Sequence, residues 1–177
     1  MTDRTFHTAV TIGVSLDGYI ARPDGDIEWL TTRGAEAGDT GYLEFLAGID
    51  TLALGRKTYE KVLTFGFWPY EGKQVAVLSS TLTTDDARVT VHRTLDDLLA
   101  HLTSSGAQRV YVDGGQLIQT FLREDLLDEI TITTAPVLIG SGIPLYGALD
   151  RDVDLRLTAA KVLDAGFMQT TYVRDRA

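Results

Sequence analysis

Apolar and polar positions along the chain alternate between two kinds of block. Some are short, rich in β-branched residues or apolar throughout. Others are longer, with apolar residues returning at helical spacing. The first kind predicts strands over 8–14, 51–54, 74–78, 109–112, 129–135, 155–162 and 167–173. The second predicts helices over 39–47, 57–63, 95–102 and 116–122, the third of these with Thr94 as N-cap and Asp96 and Asp97 in its first turn. Runs such as Thr51–Leu54 and Gln74–Leu78 have no polar face, which suits strands covered on both sides of a parallel sheet. No helix separates the last strands, so antiparallel pairing is expected there. The fold class that follows is a layered α/β domain with a mixed sheet, parallel in its middle and antiparallel at its C-terminal edge.

Composition narrows the function. The 177 residues suit one domain spanning 1–177, and 44% apolar with 23% charged residues is an ordinary globular balance. A net charge of −9 and a pI near 4.7 argue against nucleic-acid and anionic-membrane partners. An anionic ligand then needs a local basic cluster. With no cysteine, disulfides, thiolate nucleophiles and Cys-type zinc sites are excluded. The polar stretch Met1 to His7 has no signal-peptide core and no apolar run is long enough to span a bilayer, so a cytoplasmic location is expected. His7, His92 and His101 are scattered and suggest no metal site.

Two strand–glycine–helix junctions carry the candidate chemistry: Gly55-Arg56-Lys57-Thr58, and Gly114-Gly115-Gln116 after Val112-Asp113. Glycine lets backbone approach a ligand, and the following helix start offers free N–H groups to a phosphate. Neither is a GxGxxG or a Walker loop, and one alone reads as turn chemistry. Together with Ser79-Ser80 at a third strand end, they point to a dinucleotide pocket along the C-terminal edge of a sheet.

These residues resemble a known family. Val14-Ser15-Leu16-Asp17-Gly18-Tyr19-Ile20-Ala21 followed by Trp29, Gly55-Arg56-Lys57-Thr58, Val77-Leu78-Ser79-Ser80, Val112-Asp113-Gly114-Gly115 and the segment from Pro136 to Tyr146 resemble, in order, the reductase domain of bacterial bifunctional deaminase-reductases, the RibD C-terminal family. The resemblance runs from Thr8 to Val173. It implies the dihydrofolate reductase-like three-layer αβα fold. It also implies NADPH-dependent hydride transfer of the 5-amino-6-(5-phosphoribosylamino)uracil reductase type to a C=N or C=O bond, on a stand-alone domain expected to form a homodimer.

By match, Arg56 and Ser79 or Ser80 hold the adenosine 2′-phosphate end, and Lys57, Thr58, Gly114, Gly115 and Gln116 lie near the phosphates. Ile20 and Ala21 border the nicotinamide. True folate reductases carry an acid on the first helix and a tyrosine in the helix after the glycine pair. No acid aligns here, and the tyrosine position reads Ile118. The alternatives are therefore a dihydrofolate reductase or a cofactor-binding protein without turnover. Asp17 is a candidate proton donor or a cap for the turn at Gly18. Trp29 and Leu30 wall the substrate pocket or belong to the core. Trp68, in an aromatic loop, lines the pocket, covers the core or meets a second copy.

Overall fold

The computed structural model describes residues 4–175, so the first part of the polar stretch before His7 lies outside the described residues. Among the described residues, ten strands and five α-helices run in the order β1 (His7–Ser15), β2 (Tyr19–Ala21), α1 (Glu28–Gly34), α2 (Tyr42–Ala47), β3 (Thr51–Gly55), α3 (Arg56–Val62), β4 (Gln74–Leu78), β5 (Thr90–His92), α4 (Leu95–Ser104), β6 (Arg109–Asp113), α5 (Gly115–Arg123), β7 (Glu129–Ala135), β8 (Ile143–Pro144), β9 (Leu155–Val162) and β10 (Met168–Arg174). Eight of them form one sheet in the order β5-β4-β3-β6-β1-β7-β10-β9. The first six are mutually parallel, and β10 and β9 join antiparallel. This is the mixed sheet that the chain's patterning predicts.

The wholly apolar strands are buried on both faces. Val110 and Val112 of β6 pack with Ala53, Ala76 and the α5 residues Leu117, Ile118 and Phe121 on one side. Tyr111 packs on the other with Leu52, Leu54, Val75, Val77 and Tyr59 of α3. Period-two alternation within a run of apolar residues thus feeds two cores at once. A third, smaller cluster puts Trp29 of α1 against Ala135 and Phe167.

Four short elements escape the sequence patterning: α1, β2, β5 and β8. Each has two to seven residues, too few to show a period. The helix expected over 39–47 starts only at Tyr42. Gly41 is left-handed with φ 73°, and the Asp39 carboxylate accepts its N–H at 2.8 Å, a local turn that competes with helix.

Candidate cofactor and reductase site

Strand register lines up the candidate residues. Leu78 of β4 lies beside His92 of β5, Gly55 of β3 beside Leu78, and Asp113 of β6 beside Leu54. The residues that leave the strands next, Arg93, Ser79, Arg56 and Gly114, therefore form one row across four adjacent strand ends. At the β3–β6 end of the row the two glycine turns touch. Gly114 has φ +115°, and a Cβ there would sit 2.7 Å from Thr58 Oγ1 and 3.3 Å from the Gly55 nitrogen. Behind Gly114 the first turn of α5, including Gly115 and Gln116, has no side-chain cap, so its N–H groups face outward unclaimed by the helix. Gly55, Arg56, Lys57, Thr58, Gly114, Gly115 and Gln116 are thus brought together. Arg56 and Lys57 are exposed, with Arg56 Nη1 donating to Glu60 one turn along α3 at 2.8 Å.

At the β4 end, Ser79 is buried and its hydroxyl oxygen accepts the N–H groups of Thr81 and Leu82 at 3.3 and 3.0 Å, which turns the chain. Ser80 beside it is exposed. Arg93 Nη1 donates to the Ser79 carbonyl at 3.0 Å. Sequence reasoning missed Arg93 because the three-residue strand before it was not recognised. Two guanidinium residues therefore flank the serines.

Above α5 lies the two-stranded sheet of β2 and β8. Ile20 packs on Gly115 so closely that a Cβ there would lie 2.5 Å from Ile20 Cδ1. Gly142 similarly leaves no room beside the carbonyl of Ala21. Ile20 is thus held over the helix start, and Ala21, buried, pairs with Ile143 of β8.

Asp17 anchors its turn both locally, through the Ser15 hydroxyl, and at long range. It is exposed, and its carboxylate accepts the N–H groups of Gly140 at 2.8 Å and Ile139 at 3.2 Å, tying the β1–β2 turn to the loop after β7. The Ser15 hydroxyl, helped by these amides, holds it below the usual carboxylate range, so it is ionised at neutral pH. Replacing Asp17 with Ala is expected to weaken cofactor binding and lower the melting temperature while leaving the shape of the pH–rate profile unchanged. Steady-state kinetics from pH 5 to 9 check this.

Trp29 follows its core alternative: it is 5% exposed and packs with Ala37, Ala135 and Phe167. Leu30 packs on Gly13 of β1, where a Cβ would be 2.6 Å from Leu30 Cδ2. Trp68 is half-buried, edge-on to Tyr70 at 5.5 Å with the Arg88 guanidinium 4.2 Å over its ring. It therefore backs Tyr70.

A carboxyl with raised proton affinity adjoins the glycine turn: Asp113, the last residue of β6, which the sequence reading treated only as a lead-in to the glycines. It follows Tyr111 by two residues and so shares its face of the sheet. Part of its surface stays open, but protein encloses the carboxyl, and desolvation pushes it up to about 6 against the pull of the Gly114 N–H and the Tyr111 hydroxyl. Its charge bears on the phenols of Tyr42, Tyr70 and Tyr111, all raised mainly by burial. The signal available in sequence was a carboxylate ending an otherwise apolar strand.

The comparisons agree with this architecture. The RibD C-terminal domain family model matches residues 7–168. An uncharacterized protein of Bacillus subtilis (strain 168), YwjB, is 40% identical over 172 residues, covering 94% of this chain and 97% of its own length. A solved structure from Shewanella sp. PV-4, named for riboflavin biosynthesis, superposes with a TM-score of 0.87 at 39% identity, covering 97% of this chain and all of that one (100%). Dihydrofolate reductase from Enterococcus faecalis, solved with NADP(H), has a TM-score of 0.70 at 18% identity, covering 96% and 97% of the two chains, which shows the shared fold. The chain belongs to the RibD C-terminal domain family and has the dihydrofolate reductase-like fold.

Proposed function

We propose that the chain is an NADPH-dependent reductase that delivers hydride to a C=N or C=O bond of a small heterocyclic or carbonyl substrate, with Asp113 as proton donor. The observation that carries this is the contact of the Gly114 turn with Gly55 and Thr58, flanked in one row by Ser79 and Arg93. The donor set fits a phosphorylated dinucleotide: free helix amides for the pyrophosphate, two guanidinium groups and two serines for a phosphate monoester. When bound, NADPH supplies the hydride.

The chain does the rest. Gly115 and Gln116 amides with Thr58 and Lys57 hold the pyrophosphate, while Arg56, Arg93 and the serine pair hold the 2′-phosphate. Ile20 and Ala21 exclude water from the ring that reacts. Asp113 gives its proton to the nitrogen or oxygen of the reduced bond and regains one from solvent. The carboxyl that folate reductases carry on their first helix is thus supplied here from the end of β6. Substrate reduction in riboflavin synthesis is the class that the family favours.

Calorimetry with both nicotinamide cofactors tests the assignment of the adenosine end. Arg56→Ala and Arg93→Ala are each expected to weaken NADPH about tenfold or more, the worth of a charge-assisted hydrogen bond, with little change for NADH. Equal losses for the two cofactors would remove both arginines from the 2′-phosphate.

A further inference from the structure

We propose that Tyr42 and Tyr70 set substrate specificity: their phenol O–H groups face one cleft with Asp113 and donate to an oxygen acceptor on an uncharged ring. This rests on the reductase reading of the same site and deepens it. Three elements bring the groups together. Phe45 of α2 meets Tyr111 of β6 edge-on, with ring centroids 5.1 Å apart. Tyr42 lies three residues before Phe45 on the same face of α2, and Asp113 lies two residues after Tyr111 on the same face of the sheet. α2 runs opposite to β6, because just beyond its C-terminal end the Asp50 carboxylate accepts the N–H groups of Gln108 and Arg109 at the start of β6. Tyr42 therefore comes level with Asp113. Tyr70, in the loop after α3, packs into the same cluster as Tyr111, with Trp68 edge-on behind it. The charge of Asp113 bears on both phenols, and the two phenols bear on each other.

The bonding of the buried tyrosines separates Tyr70 from its neighbours. The Tyr59 hydroxyl donates to Asp86 at 2.9 Å and the Tyr111 hydroxyl to the Thr11 carbonyl at 3.2 Å, as buried phenols ordinarily do. Tyr70 is equally buried, at 4% exposed, yet its hydroxyl has no hydrogen-bond partner among the described residues. Nor is that oxygen sealed in: the enclosed side-chain atoms without a partner are Trp29 Nε1 and Arg109 Nε. A phenol with its ring packed and its oxygen open and unclaimed keeps that bond for a ligand. Tyr42, 37% exposed, adds a second unclaimed hydroxyl at the mouth. Burial raises both phenols above their ordinary value, so both remain donors at neutral pH. The groups that shift Asp113 are the Gly114 N–H and the Tyr111 hydroxyl, with no cation among the described residues. Two neutral donors beside a carboxyl suit the carbonyl oxygen of an uncharged ring and reject a carboxylate or a phosphate.

Calorimetric titration of the chain with quinolin-2-one, a flat uncharged lactam, tests the proposal with and without NADPH present. The wild type is expected to bind the lactam with a Kd below about 1 mM in both conditions. Tyr42→Phe and Tyr70→Phe each keep the ring and delete the hydroxyl. Each is expected to weaken the lactam about fivefold or more, with NADPH affinity unchanged and a melting temperature within about 2 °C of the wild type. No lactam binding at about 2 mM overturns the proposal, and so do two variants that bind it like the wild type. Variants that melt well below the wild type and lose NADPH together with the lactam also overturn it, because the hydroxyls would then act through the fold. Failure of NADPH to bind, with lactam affinity still following the two hydroxyls, removes the cofactor reading and leaves the phenols' role in place.

Discussion

Replacing Asp113 with Asn is expected to lower kcat by about 10²–10⁴-fold and, at neutral pH, to make the protein more stable. Both effects come from one property. The folded site raises the carboxyl from 3.8 to about 6 by desolvation, so it holds its proton more tightly than the unfolded chain does. For an acid shifted this way, the stabilisation is complete below the unfolded value and is lost as pH rises through the folded one. At pH 7.5 the wild type therefore carries a carboxylate where its surroundings disfavour charge. Such a shift is worth at most about 3 kcal/mol, and solvent at the partly open carboxyl reduces that to roughly 1–2 kcal/mol. Asn removes the penalty, so the variant gains about that much at pH 7.5 and nothing below pH 4. Urea unfolding at the two pH values measures it. In the wild type, the reductive rate should fall as pH rises above about 6, because the proton donor is lost. A structural role alone predicts neither the rate loss nor the gain in stability. A destabilised Asn variant with an unchanged pH profile would show that Asp113 is not the acid.

Gly114→Ala is expected to have the largest effect on cofactor binding. Alanine rarely adopts φ +115°, and its Cβ would meet Thr58 Oγ1 and the Gly55 amide at once. Relief requires pulling apart the two turns that build the cradle. The expected result is a loss of about 2–4 kcal/mol in stability and of at least about 100-fold in affinity for NADPH and NADH alike. Gly55→Ala is the control: Gly55 has φ −74°, and its Cβ would meet only the Leu117 Cβ, at 4.0 Å. Its stability should change by less than about 1 kcal/mol. Thermal unfolding and calorimetry on both variants separate the close approach at Gly114 from a general need for glycine.

What the sequence made legible followed from period and chemistry. Strands such as Gln74–Leu78 announce double burial through the apolar run after Gln74, and the helix Leu95–Ser104 announces its start through its Thr94 cap, whose hydroxyl accepts the Asp97 N–H in the structure. The glycine turns were legible because close backbone approach demands that residue type. The proposed acid was not, since a carboxylate before two glycines reads equally as turn chemistry, and only the closing of the sheet around Asp113 raises its proton affinity. Arg93 was hidden because its position depends on β4–β5 register, a long-range pairing that no local pattern encodes. Asp17 was legible in half: its place beside Gly18 suggested a local role, which the Ser15 hydroxyl provides, whereas its further partners lie at Ile139 and Gly140, more than a hundred residues away.

The row of strand ends is proposed to hold NADPH. Calorimetric titration of the wild-type protein with NADPH tests it most directly. The expected result is saturable one-to-one binding with a Kd in the micromolar range and NADH about tenfold weaker or more, while absence of binding at about 1 mM NADPH would contradict the account.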